Sequence, residues 1–313
     1  MQRHQDYQSL PESARGATVA MGNFDGVHLG HMSVLTAARD ALPGALWGCV
    51  TFEPHPRRVF QPDRPPFRLM TAEGRAHRLG LIGLDHVYEL PFDAALSSLS
   101  AQDFVRRVLV GALGVAHVTV GADFRFGQGR AGDATLLAGL GDDLRFGVTA
   151  APLLALKGVE LSSTAIRTAL AQGRPRDAAQ MLGHYHRVDG PVEHGFKRGR
   201  ELGYPTANVA MPDLHLPKFG VYAVWVDVLG GPHAGRYPGA ASLGVRPQFD
   251  DRTAPNLEVF LFDFAGDLYD TQVSVALVEF LRPEARFDGV EALVAQMGSD
   301  CARAKDILAA EPA

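Results

Sequence analysis

The sequence predicts two domains: an α/β domain with a parallel sheet, then an antiparallel β-domain, barrel or sandwich, ending in one helix. Three observations predict this. Apolar strand-like runs alternate with helical patterns in the first half. Strand-like runs separated by Gly, Pro and Asp fill the second half. One amphipathic segment closes the chain. The length of 313 residues suits two domains and can bury a core without staples.

In chain order, Ala17–Gly22 reads as a short buried strand ending in Gly. Val34, Leu35, Ala38 and Leu42 give His31–Leu42 helical spacing. Ala45–Phe52 and Ala116–Gly121 read as further strands. Between them, Ser100 and Asp103 open a helix over Ser100–Leu113, spaced as in a capping box. Helical periodicity thins after Gly183, and a boundary is predicted near Gly183–Arg187. Val221–Val228, Leu257–Phe264 and Gln272–Phe280 are predicted strands. Val290, Leu293, Val294, Met297 and Cys301 mark the apolar face of the last helix, predicted to pack on the β-domain.

Composition excludes several classes. With 30 Lys+Arg against 35 Asp+Glu, the net charge of -5 argues against a nucleic-acid binder. Two cysteines, Cys49 and Cys301, are too few for a disulfide framework or zinc cluster and read as small core residues. Met1–Arg15 lacks the apolar stretch of a secretory signal, and no apolar run approaches the roughly 18 residues of a membrane span. A cytoplasmic protein without membrane partners is expected. Oligomeric state stays open.

Two constellations carry chemistry. The first is Gly22-Asn23-Phe24-Asp25-Gly26-Val27-His28-Leu29-Gly30-His31, at a strand-to-helix junction. Free N–H groups and the helix dipole favour anions there. His28 and His31 can donate hydrogen bonds to a polyphosphate, and Gly30 leaves room for phosphate to approach. Ser162-Ser163-Thr164-Ala165-Ile166-Arg167 opens a helix to Ala171 and offers hydroxyls and a guanidinium to phosphate. The candidates for a nucleotide-phosphate site are Gly22, Phe24, Asp25, His28, Gly30, His31, Ser162, Ser163, Thr164 and Arg167. Of these, His28, His31 and Arg167 are candidates for catalysis.

The second constellation is Gly190–Arg200, glycine-rich and basic, continuing into Leu202-Gly203-Tyr204-Pro205-Thr206-Ala207-Asn208. Its glycine spacing does not match a P-loop. Thr206 and Asn208 alternate along an extended segment and face one way. A hydroxyl and an amide oxygen can complete a Mg²⁺ shell shared with phosphates. Glu258 lies on the strand face opposite Leu257 and Val259, with Phe260 and Phe262.

The first string resembles the signature of nucleotidylyltransferases with a His-x-Gly-His motif, and Ser162–Arg167 resembles their second phosphate motif. Gly121–Gly127 with Arg130 and Gly132-Asp133, and Thr51–Pro56, are similar to the bacterial FAD synthetase branch. That resemblance places Pro54, Phe60, Phe104, Asp123 and Phe126 on the flavin side. Gly190–Asn208, Gly220–Ala223, Leu257–Tyr269 and Arg282–Phe287 resemble riboflavin kinase. The chain is thus similar, from about Ala17 to Leu308, to the bifunctional riboflavin kinase/FAD synthetase family.

The resemblance implies a Rossmann-like adenylyltransferase domain at 1–183 and an antiparallel β-barrel kinase domain with a terminal helix at 184–313. It implies ATP, riboflavin and FMN as substrates, FAD as product, and Mg²⁺. It assigns Glu258 as general base for the riboflavin hydroxyl. It assigns Gly190, Val192, Gly195, Lys197, Gly199, Arg200, Thr206 and Asn208 to ATP in the kinase, with Thr206 and Asn208 on the metal. Ser242 and Gln248 stand where the family usually has Asn and Thr. Two competing readings are a nucleotidylyltransferase for another phosphomonoester acceptor beside an inactive flavin-binding barrel, and a flavin-binding module without catalysis.

Overall fold

A parallel strand covered on both faces is mostly apolar, and β2 (Thr18–Met21) is buried at every position. It lies within a sheet of six parallel strands, in the order β1-β4-β3-β2-β5-β6. A computed structural model describes residues 1–156, 158–194, 202–247 and 253–311. They form two compact units, Met1–Pro65 with Ala72–Ser162, and Pro66–Thr71 with Ser163–Ala313.

In the first unit the other strands are β1 (Gln2–His4), β3 (Trp47–Glu53), β4 (His86–Pro91), β5 (His117–Gly121) and β6 (Gly147–Ala151). A small hairpin, β7 (Ala155–Leu156) and β8 (Val159–Glu160), follows. The helices are α1 (Leu29–Ala41), α2 (Pro56–Phe60), α3 (Ala72–Ile82), α4 (Ala94–Ser97), α5 (Ala101–Asp103) and α6 (Ala134–Leu144). The Thr18 hydroxyl donates to the Ala38 carbonyl at 2.6 Å and the Trp47 indole to that of Leu35 at 2.9 Å, which dock α1 on the sheet. From β2 the chain winds one way through β3 and β4, then crosses back to β5 and β6. Strand order therefore reverses between β2 and β5. Open α/β sheets bind ligands beyond the strand ends at such a switch point. The segments leaving β2, β3 and β5 at that edge are Gly22–His28, Pro54–His55 and Ala122–Phe126.

The second unit carries α7 (Ser163–Ala171), α8 (Pro175–Leu182), a closed barrel and α9 (Val290–Ala309). The barrel strands are β9 (Arg187–Glu193), β10 (Ala207–Val209), β11 (Gly220–Val228), β12 (Gly235–Pro247), β13 (Thr253–Leu261) and β14 (Gln272–Arg282). They close in the order β10-β13-β12-β11-β14-β9, all neighbours antiparallel. Closure leaves no strand edge unpaired. Alternation sends Tyr222, Val224 and Val226, with Leu257 and Val259, into the barrel core. The opposite positions Ala223 and Trp225 face α9, where Ala304 and Leu308 are buried. Gly190 is required by packing, because a Cβ there would stand 2.4 Å from the Ala210 carbonyl oxygen.

The fold class is as the sequence predicts, and three elements differ in detail. Ser100 caps its helix as expected, accepting from the Asp103 N–H at 3.0 Å. From Phe104 to Ala112, however, the winding is π-helical. The strand predicted at Leu257–Phe264 stops at Leu261, and Asp263 turns the chain at φ 54°. Val290, assigned to the packed face of the last helix, is 59% exposed, and the fully buried positions come later, at Asp300, Ala304 and Leu308. Its first turn overhangs the barrel. Cys49 is buried as expected, while Cys301 is half-buried.

His186, next to β9, is 3% exposed. Burial, with His215 and His184 adding to it, pushes its pKa down to about 3. Folded His186 stays neutral where an unfolded histidine, with a pKa of about 6.5, takes up a proton. Stability is therefore lost as pH falls below about 6.5, by about 2 kcal/mol at pH 5. Denaturant titrations of His186→Phe should show a pH 7-to-5 loss smaller by that amount. An unchanged loss would contradict a neutral buried imidazole.

Candidate active sites

The N-terminus of α1 is capped by two imidazoles. His28 is the N-cap, and its Nδ1 accepts the His31 N–H at 3.2 Å. The His31 Nδ1 accepts the His28 N–H at 3.3 Å. The rings stack with centroids 3.6 Å apart. A neutral imidazole that accepts at Nδ1 carries its proton on Nε2. Both rings are thus set as Nε2–H donors. Burial, with His28 adding to it, holds the pKa of His31 well below the ordinary histidine value, so this ring is neutral at pH 7.

Gly30 makes the stacked pair fit. A Cβ there would stand 3.0 Å from the His28 ring and 3.1 Å from the Leu161 carbonyl oxygen. The space over Gly30 is thus filled by protein. The preceding turn has Phe24 at φ 50° and Val27 at φ 42°. A β-branched residue in the left-handed region is strained, and such strain concentrates at functional sites. Phe24 and Asp25 are buried, and Phe24 meets the His31 ring edge-on at 5.3 Å.

The flavin-side candidates divide. Pro54 directly follows β3, and Asp123 is exposed just past β5. Phe60 is 66% exposed, with its ring edge-on to Phe92 at 5.6 Å. Phe104 and Phe126 lie in the core, their rings 5.9 Å apart. Ser162 ends the first unit, while Ser163, Thr164 and Arg167 belong to α7 in the second. The Arg167 guanidinium reaches the Thr164 hydroxyl at 3.1 Å and the Phe67 carbonyl at 3.3 Å. The His215 ring nitrogen lies 3.0 Å from the Arg167 carbonyl.

On the barrel, strand register assembles a polar row on the outer face. Asn208 stands opposite Glu193 on one side and Glu258 on the other, and Glu258 stands opposite Ser242. Ala207, Val209, Leu257 and Val259 flank the row but turn into the core. Beside it lies a cleft of about 470 Å³ between the barrel wall and α9. Thr206, Ser242 and Glu258 give it a polar end, and Tyr204, Phe260 and Met297 give it apolar walls. That volume and mixture suit a small organic ligand. Gly190 and Val192 lie in β9, with Val192 in the barrel core. Gly195, Lys197, Gly199, Arg200 and Gln248 lie outside the described residues.

Three residues at the cleft escaped sequence reasoning. Asn256 donates its side-chain N–H to Glu258 at 2.8 Å. Its i, i+2 spacing on the same strand face was the available signal. Arg282 donates to both oxygens of Asp300 at 2.8–3.1 Å and so ties β14 to α9. Nothing local in the sequence links positions that far apart.

Residues 10–165 match the family model for FAD synthetase, and residues 182–308 that for riboflavin kinase. A bifunctional riboflavin kinase/FMN adenylyltransferase of Pseudomonas fluorescens is 42% identical over 311 residues, covering 99% of this chain and 98% of that one. The Escherichia coli K12 protein of the same description is 39% identical over 290 residues, covering 91% and 90%. A crystal structure described as a macrolide-efflux protein from Streptococcus pneumoniae has TM-score 0.83 at 28% identity, covering 99% of each chain. Among the described residues of this chain, no helix is long and apolar enough to cross a membrane. By identity and coverage, the chain belongs to the bifunctional riboflavin kinase/FMN adenylyltransferase family.

Proposed function

We infer that this chain phosphorylates riboflavin with ATP to FMN, then adenylylates FMN with a second ATP to FAD and pyrophosphate. The observation that carries the reading is one chain holding two separate polar constellations. One is the doubly histidine-capped helix at a sheet switch point. The other is the Asn208–Glu258–Ser242 row beside a barrel cleft. Residues 1–183 are assigned to adenylyl transfer and 184–313 to phosphorylation.

The riboflavin hydroxyl is a weak nucleophile and gains from a base. Glu258 takes its proton as the oxygen attacks the γ-phosphorus, and ADP leaves. Asn256 donates to one Glu258 oxygen at 2.8 Å and so orients the carboxylate. Thr206 and Asn208 are hard, neutral oxygen donors fit for Mg²⁺, and would hold it where it neutralises phosphate charge. Among the described residues no cluster of three His, Cys, Asp or Glu competes for that role.

FMN needs no base, since its phosphate is largely dianionic at neutral pH. One of its oxygens attacks the α-phosphorus of ATP, and pyrophosphate departs. The chain then has to align the phosphates and stabilise charge on the leaving group. His28 and His31 do so through Nε2–H.

Purified protein with riboflavin, ATP and Mg²⁺ should form FMN first and FAD after it, followed by chromatography. Pyrophosphate release with another phosphomonoester, and none with FMN, would favour the alternative acceptor. Glu258→Gln should slow FMN formation by roughly 100-fold or more and spare FMN-to-FAD conversion. The double variant His28→Ala, His31→Ala should do the reverse. Equal loss of both steps in either variant would argue against separate sites. Long-range ¹H–¹⁵N correlation spectra should show His31 protonated on Nε2 alone at pH 7. An imidazolium pattern would refute the neutral cap.

A further inference from the structure

Arg75, on α3, takes no part in the chemistry described above, yet its side chain is 1% exposed. A buried guanidinium is tolerated only when it is well paired. Its Nη2 donates to Glu89 at 2.6 Å and to Glu53 at 3.1 Å, and its Nη1 donates to the Asn23 carbonyl at 3.2 Å. Glu89 is also buried. It accepts from Arg3 at 2.8 Å and Gln5 at 3.1 Å. Burial pushes the Glu89 carboxyl up, but Gln5, Arg75 and Arg3 outweigh it and hold it below the usual range. The anchor is therefore a carboxylate.

Two of the three Arg75 acceptors belong to segments that leave the sheet at the switch point. Asn23 opens the strained turn that leads to His28. Its carbonyl takes a second donor, the Thr51 hydroxyl, at 3.3 Å. Strained non-glycine turns persist only where their surroundings over-determine them. Glu53 ends β3, immediately before Pro54. Arg75 joins both segments to Glu89 through a planar fork that a lysine cannot reproduce.

We propose that Arg75 is a positioning residue for FMN adenylylation, its guanidinium fixing the Asn23 turn and Glu53 against the buried carboxylate Glu89. The proposal rests on the reading of Gly22–His31 as the phosphate site. Misplacement by about 1 Å costs such reactions about 100-fold. The proposal concerns kcat, since the groups that touch substrate remain in the chain.

The test uses full-length protein, with riboflavin phosphorylation as an internal control. Arg75→Lys keeps the charge and loses the fork. It should lower kcat for FMN-to-FAD conversion about 100-fold, with KM for ATP changed less than about fivefold. FMN formation should stay at the parent value, and the kcat loss should persist well below the variant's own melting transition. Thr51→Val removes only the other donor to Asn23 and should lower the same kcat by about tenfold. Parent kcat in both variants would overturn the proposal. So would an Arg75→Lys loss that tracks a lowered melting transition while Thr51→Val keeps parent kcat. The double variant His28→Ala, His31→Ala, assayed in parallel, separates the two ideas. FAD synthesis lost there but intact in Arg75→Lys sinks the proposal alone. FAD synthesis intact in the double variant sinks the phosphate-site reading.

Discussion

A helix that begins at a parallel-sheet switch point exposes N–H groups that need acceptors. Much of the first unit is arranged around how this one is satisfied. Serine or aspartate would cap α1 and end the matter. Here two imidazoles cap it reciprocally, each accepting a backbone N–H at Nδ1. The cap that completes the secondary structure is also the group that the proposed function assigns to phosphate. Gly30 suits it, since a Cβ there would press on the His28 ring at 3.0 Å.

That arrangement has costs, and they are visible. Phe24 and Val27 sit in a backbone region that side chains avoid. A buried arginine and a buried glutamate lie behind them, stable only as a mutually paired set. Apolar residues of similar volume could fill such a space, but they could not hold a carbonyl and two carboxylates in fixed directions. The placement of the charge supports a geometric role.

The barrel reaches its chemistry by different means. Adenylyl transfer to a phosphate needs no proton acceptor, whereas phosphorylation of an alcohol gains from one. The barrel places its carboxylate, Glu258, by register. Closing the sheet brings Glu193, Asn208, Glu258 and Ser242 into line across four strands, although they are scattered along the sequence. Strand alternation sends their neighbours inward, so core and site share the same strands. The Arg282–Asp300 pair then fixes α9 beside the row and forms the far wall of the cleft.

The sequence by itself determined whatever depends on local pattern. Apolar runs, the Ser100 cap and the strand-to-helix string at Gly22–His31 are contiguous signals, and they marked the fold class and the family. Glu258 was legible because its neighbours alternate with period two. Tertiary structure decided whatever depends on residues far apart in the chain. The polar edge strand β1 carries no apolar signature and is recruited through pairing with β4. Arg75 looked like an ordinary helix residue, because only folding brings Asn23, Glu53 and Glu89 around it. The aromatic side chains Phe104 and Phe126 could be told from ligand-facing rings only once the core had closed over them. Local patterns fix hydrogen-bond periodicity and hydrophobic faces, while pairing partners are set by which segments the finished sheet and barrel bring together.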